Sequence, residues 1–523
     1  MRGIFLLLIL SSTLLFAGKI FTYNQIHTMP RSVEKDYYIW RFVSQKNTTP
    51  QEAKRIIQEA LRINGKLQSA YRNKTGLTAT LLPYKNTTEY FSAPTNTNIG
   101  SDSTISFEKN KQQTLRRFMQ QNKTNYPAWV KEGPQMECYL FNSCGTTLRR
   151  TKFNKTLDSR EYRLLTMQKE FDASIKLILK ENLPALKRSL LQPPAAENQL
   201  KPETHFRLGL FALKQNRTDL ALIYFGQSRK NAQNRSDKDR ANFWMYLMTK
   251  NGGYLKNILQ SNDINLYSLI VRDLYKLPYP KTVTPSLTNN NRSYYNIQDP
   301  IEWAKLKQKL FSGRFDLDSL ADSYECQETL GHYCYIKEKA THHQTAYYPM
   351  PYRDILSRLP KKKQALIYAI VRQESRFIPA SVSPSFALGM MQIMPFVVAD
   401  ISKKKNETID LDQMFNPRKA IEYGSFHLDY LTSWLYHPLL VAYAYNGGIG
   451  YTKRLIKNTG KFLPGAYQPY LSMEEMENTE TREYGKKVLT NYVIYMNKLG
   501  VPTRILPLVK EVTNPYLSDR FRQ

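Results

Sequence analysis

Between residues 202 and 277 the apolar side chains fall at three- and four-residue steps, broken by short polar turns. Phe206, Leu210 and Leu213 precede the break Asn216-Arg217-Thr218-Asp219; Leu220, Ala221, Tyr224 and Phe225 follow it. Phe243, Trp244, Leu247, Leu266, Tyr267, Leu269 and Ile270 repeat the theme. The small-and-large alternation is that of a tetratricopeptide-like (TPR-like) pair, although the full repeat signature is missing. One such pair leaves an apolar face open, so neighbouring pairs must stack into a curved array. The expected class is all-α, with an N-terminal helical superhelix, a solenoid of TPR-like pairs, over residues 18–277. These aromatics read as core, not as ligand contacts.

The flanking sequence fits that class. Met1-Arg2-Gly3, the apolar run 4–16 and the small pair Ala17-Gly18 have the form of an export signal over residues 1–17, too short to span a bilayer comfortably. Bulky Leu15 leaves an uncleaved membrane anchor as the alternative, and no cysteine follows the run to carry a lipid. Thr49-Pro50-Gln51-Glu52 reads as a capping box opening a helix with Ala53, Ile56, Ile57, Ala60 and Leu61 on one face. Residues 161–191 read as one buried-stripe helix carrying Leu164, Leu165, Met167, Phe171, Ile175 and Leu179. Residues 278–346 form a linker, rich in proline and asparagine at first, and then a connecting helical segment.

With 523 residues the chain has the length for two to four domains. Its formal charge of +31 is spread along the chain, including Lys361-Lys362-Lys363 and Lys403-Lys404-Lys405, and favours a polyanionic partner. No zinc-finger, RNA-recognition or basic-zipper pattern occurs, and an export signal argues against nucleic acid, so an anionic wall polymer or membrane surface is the better fit. Lysines that only solvate the surface are the alternative. The four cysteines fall in two close pairs, Cys138 with Cys144 and Cys326 with Cys334, which in an exported chain predicts two local disulfides. Metal and phosphate-loop motifs are absent, so no cofactor is expected.

The chemistry gathers around Glu374. Leu366, Ile367, Ile370 and Val371 recur at helical spacing, and four-residue steps from Leu366 through Ile370 reach Glu374, which puts a carboxyl on the buried face. Pro379 ends the helix within about a turn. Burial and the negative helix end both disfavour the charged form, as a general acid requires. The plainer alternative is a solvated Glu in a fraying last turn beside Arg372 or Arg376.

Glu374-Ser375, then Gly389-Met390-Met391-Gln392-Ile393-Met394-Pro395, then Ala444-Tyr445-Asn446-Gly447-Gly448 resemble, in order and spacing, the three motifs of the soluble lytic transglycosylases. The lead-in Tyr347-Tyr348-Pro349-Met350-Pro351-Tyr352 is similar too. The resemblance implies a lysozyme-like, mostly α catalytic domain over residues 347–510, after the superhelix and before a tail, 511–523. It also implies a periplasmic enzyme acting on peptidoglycan glycan strands, associated at most peripherally with membrane or wall machinery. Glu374 would serve as acid and then base while the C6 hydroxyl of N-acetylmuramic acid attacks its own C1.

The resemblance gives the other site residues their roles. The loop 383–395, with Ser383, Gln392 and Met394, would line the cleft, Gln392 bonding an acetamido group. Tyr445 and Asn446 would face the reacting centre. Glu474 matches a further family Glu six residues before Glu480-Thr481-Arg482, although Met476-Glu477-Asn478 departs from the usual intervening pattern. Phe386 stands where the family commonly has Gly, which predicts a narrowed cleft, and Gly447 where Ala is usual. Two other readings stand beside this one: a lysozyme-type hydrolase with Glu474 or Glu477 activating water, and a catalytically silent wall-binding scaffold.

Overall fold

The structure is a computed structural model that describes residues 19–80, 111–116, 118–119, 133–287 and 295–523. The expected export signal, residues 1–17, lies outside them. The architecture is all-α: among the described residues the extended backbone makes only isolated bridges, such as Val382 with Leu388. No described helix is long and apolar enough to cross a membrane. Two compact units emerge, Phe91–Lys276 on one side and Met1–Tyr90 with Leu277–Gln523 on the other.

The unit Phe91–Lys276 contains the stacked hairpins. Pro202–Lys214, Thr218–Asn231, Arg235–Thr249, Gly252–Leu259 and Leu266–Leu274 follow one another, each packed on the next. Phe206, Phe225 and Trp244 from three successive helices form one buried ring cluster, with centroids 5.2 Å apart for the first pair and 5.8 Å for the second. The expected single helix over 161–191 is instead three: Ser159–Thr166, Phe171–Lys180 and Pro184–Ser189. Gln199 donates to the Thr166 carbonyl from outside the helix, and Leu164 and Met167 are exposed rather than core.

The expected disulfides do not form; all four cysteines are buried thiols. Cys138 lies within Pro134–Ser143 and Cys144 caps its end. Six residues of helix separate their Cα atoms by about 9 Å, beyond the ~7 Å a disulfide spans. Burial pushes the Cys138 and Cys334 thiols well above their ordinary value, so neither readily supplies the thiolate that oxidation needs.

In the other unit the chain before residue 81 packs with residues far along the sequence, whereas the sequence reading groups it with the superhelix. Arg41, on the helix Val33–Ser44, bonds Asp410 at 2.8 Å and Asp412 at 2.9 Å. The connecting segment is likewise built in. Trp303, Leu306 and Leu310 of Pro300–Phe311 share a core with Ile336 and with Ile378 and Ala380, just past Glu374. At Gly331 a Cβ would lie 2.3 Å from the Phe377 carbonyl oxygen, so Leu330–Ala340 approaches the chain after Glu374 as closely as only glycine permits.

Candidate active site

Two helices carry the site. Lys361–Glu374 is buried along nearly its whole length, and Glu374 is its last residue. Antiparallel to it runs Thr479–Lys498: Tyr484 meets Glu374 near one end, and Tyr495 stacks on Tyr368 near the other, 5.1 Å between ring centroids. Beyond Glu374, Arg376 and Phe377 both take positive φ, 55° and 67°, and the chain turns sharply away. Glu338 holds this corner, its carboxylate accepting from Arg372 at 2.8 Å and pairing with Arg376 at 3.0 Å. Arg372 also donates to the Tyr347 carbonyl at 2.9 Å, which ties the tyrosine-proline lead-in to the helix.

Glu374 is partly buried, and burial pushes its carboxyl up to about 7. The Tyr484 hydroxyl donates to Oε1 at 2.7 Å and works against that rise, whereas the charge on Glu480 adds to it. Held near 7, the group keeps its proton on a substantial fraction of molecules at neutral pH and can also lose it, as one residue acting as acid and then base must. Oε1 is engaged by the phenol, which leaves Oε2 to face an incoming oxygen.

The second motif is fixed to the first through Ser375, whose hydroxyl donates to the Met390 carbonyl at 2.8 Å. Gln392 curls back, its amide donating to the carbonyls of Gly389 at 2.7 Å and Ser381 at 3.1 Å. Those two bonds occupy the amide nitrogen and leave the amide oxygen as an acceptor. Gly389 has φ 73°, and a Cβ there would fall 2.0 Å from the Met414 carbonyl oxygen. Ser383 accepts from the Ala387 amide at 2.9 Å and shapes the turn. Met394, partly buried, precedes the helix Pro395–Lys404, while Met391 is core against Gly424.

Tyr445 of Pro438–Gly447 donates to the Met391 carbonyl at 2.7 Å, and burial, with the Glu374 charge adding to it, holds its phenol up. The second and third motifs thus meet beside Glu374. Asn446 accepts from the Thr481 hydroxyl at 2.7 Å and donates to Glu480 at 3.4 Å. It acts as a strut between two helix ends. At Gly447 an added Cβ would lie 2.9 Å from Thr481 Oγ1, so this strut has little room for the Ala usual in the resembled family.

The other expected residues are placed differently. Glu474 is buried, with Lys486 Nζ 3.0 Å from Oε1 and Arg482 Nε 3.9 Å from Oε2. A carboxylate sealed in ion pairs is poorly suited to activating water. Glu477 is exposed. Phe386 does not narrow the cleft: it is buried, its ring 5.6 Å from that of Trp40 and 6.0 Å from that of Tyr37. Its φ of 59° explains the family Gly, and left-handed backbone costs a bulky residue roughly 1–2 kcal/mol. Burying the ring returns roughly 1.5–3 kcal/mol, so the substitution is tolerated.

Tyr484 and Glu480 are the residues that sequence reasoning missed. The signal was present: Tyr484 lies four residues past Glu480, so a helix puts both on one face. His427, whose ring centroid is 5.6 Å from that of Tyr445, carries no comparable mark.

Residues 357–467 match the family described as the transglycosylase SLT domain. A soluble lytic murein transglycosylase of Salmonella typhimurium is 29% identical over 171 residues, 32% of this chain and 26% of that protein. One from Escherichia coli K12 is 28% identical over 216 residues, 40% of this chain and 33% of its own length. The matched stretches thus span about a quarter to a third of these relatives. In fold, the chain is similar to the X-ray structure of an inactive mutant of lytic transglycosylase Slt from Pseudomonas aeruginosa: TM-score 0.50 and 17% identity, covering 90% of this chain and 80% of that one. Residues 357–467, which contain Glu374 and its two companion motifs, thus match the transglycosylase SLT domain family.

Proposed function

We propose that this chain is an exported lytic transglycosylase that cleaves the β-1,4 bond between N-acetylmuramic acid and N-acetylglucosamine in peptidoglycan. The observation that carries the reading is the Glu374 carboxyl, held near 7 by burial and bonded by Tyr484 at 2.7 Å. Glu374 gives its proton to the bridging oxygen as the C1–O bond breaks, and its carboxylate is left facing an oxocarbenium-like centre. The same carboxylate then takes the proton of the C6 hydroxyl as that oxygen bonds to C1. The product is a 1,6-anhydro end, no water is consumed, and the acid is regenerated.

Ring closure is intramolecular, so positioning supplies much of the rate. Gln392, Met394 and Tyr445 are the residues assigned to hold the sugar, with Asn446 and Ser383 maintaining the shape of the wall. Glu474, paired with Lys486, supports the structure instead of activating water. The +31 charge suits an anionic wall polymer. Mass spectrometry of glycan fragments released from purified sacculi is the test. Anhydro ends from the wild type and none from Glu374→Gln support the reading. Reducing ends that have gained water indicate a hydrolase, and equal, negligible release from both proteins indicates a scaffold.

A further inference from the structure

The substrate loop is held from behind by a part of the chain that lies more than three hundred residues earlier. Its turn at residues 383–387 rests on the first helices of the protein. Trp40 and Tyr37 of Val33–Ser44 cover the Phe386 ring, with centroids 5.6 Å and 6.0 Å away. The Asn64 amide donates to the Pro384 carbonyl at 2.8 Å, and the Lys66 ammonium to the Ser385 carbonyl at 2.6 Å. Each carbonyl at the tip of the turn therefore has a donor from the N-terminal segment.

The same helix braces the loop a second time. Tyr37 donates to Asp412 at 2.8 Å, Arg41 bonds Asp410 and Asp412, and the Tyr37 ring meets Phe415 edge-on at 5.9 Å. Those partners cap or belong to Leu411–Phe415, whose Met414 carbonyl stands where a Cβ on Gly389 would be. Both braces converge on Gly389, which lies between the turn and Gln392. Gln392 bonds back to the Gly389 carbonyl, Met391 accepts from Tyr445, and Met390 accepts from Ser375, the residue after Glu374.

We propose that Trp40 is a positioning residue: with Tyr37 and Arg41 it braces loop 383–392 from outside the cleft and so fixes where the sugar-facing backbone lies. This rests on the reading of 383–395 as the substrate loop. Phe386 makes the dependence specific to this chain, because glycine at that position would offer Trp40 nothing to grip. The left-handed turn is kept by the N-terminal helix as well as by its own hydrogen bonds.

Two readouts on the full chain test the brace. Amide exchange requires no substrate: in Trp40→Ala the Ala387, Leu388 and Ile393 amides should exchange about tenfold faster or more, as a loosened local unit does. On defined-length glycan strands the KM should rise about tenfold, with kcat within about threefold and the alkaline limb of the pH profile unchanged, since misplacement of lining groups alone has effects of this order. Trp40→Phe should restore both. Phe386→Gly suits the backbone, removes the grip and should repeat the Trp40→Ala result if that variant folds poorly. Folded variants with wild-type exchange and wild-type KM would overturn the proposal. A wild type that cleaves no glycan sinks the functional reading instead, while the exchange measurement still decides the brace.

Discussion

Glu374 keeps its proton up to about 7 in the folded protein, against 4.5 for an unperturbed Glu. Between those values the native state binds more protons than the unfolded chain, so this group's contribution to stability falls as pH rises through the window. Glu374→Gln removes that dependence. Its melting temperature relative to wild type should therefore climb from pH 4.5 to about 7 and then level off, as thermal unfolding across that range will show. Its glycan cleavage should drop by about 10³-fold or more, the scale on which a general acid acts. Tyr484→Phe removes a donor that favours the ionised carboxylate. The alkaline limb of the activity profile should then move upward by about one pH unit, the worth of one hydrogen bond to a charged group. A limb unmoved in that variant would mean the phenol does not contact the working form of the acid. At this scale the sequence revealed Glu374 through its place on the apolar stripe, but the phenol's direction depends on a second helix.

Helices and loops place those groups. Gly389 has φ 73° and no space for a Cβ beside the Met414 carbonyl. Gly389→Ala should lower stability by about 2 kcal/mol, the usual cost of overpacking, and take activity with it; calorimetry and product release report the two together. Glu474→Gln should separate them. It leaves Lys486 and Arg482 with Glu483, 2.9 Å from each, as their remaining carboxylate, at a cost of about 1.5 kcal/mol for the lost charged hydrogen bond, while the refolded fraction keeps its kcat. A loss of kcat at unchanged stability would return Glu474 to the chemistry. Most helices were legible from their periodicity, including the one ending at Glu374. The segment 161–191 was not read correctly: Pro184 marks the second break, but the first, at residues 167–170, carries neither glycine nor proline, and apolar Leu164 and Met167 imitate a core stripe. The pair Cys138 and Cys144 was misread for a related reason: closeness in sequence becomes separation once a helix holds two residues six apart.

For the whole molecule, the charge of +31 predicts association with sacculi that weakens steadily with ionic strength. Sedimentation of the Glu374→Gln protein with sacculi over a salt series measures it, and salt-independent binding would make the lysines mere surface. Composition and spacing alone determined that the chain is helical, that residues 202–277 stack as successive helices, and that one carboxyl ends an apolar helix followed by two short motifs. Those properties repeat along a single chain and follow from local periodicity. Tertiary structure decided the rest: that the first helices grip Phe386, that Glu338 clamps the corner after Glu374, and that Glu474 is locked in ion pairs rather than exposed to substrate. Each of these depends on residues distant in sequence meeting in space, and such meetings are selected by packing and desolvation, which no window along the chain contains.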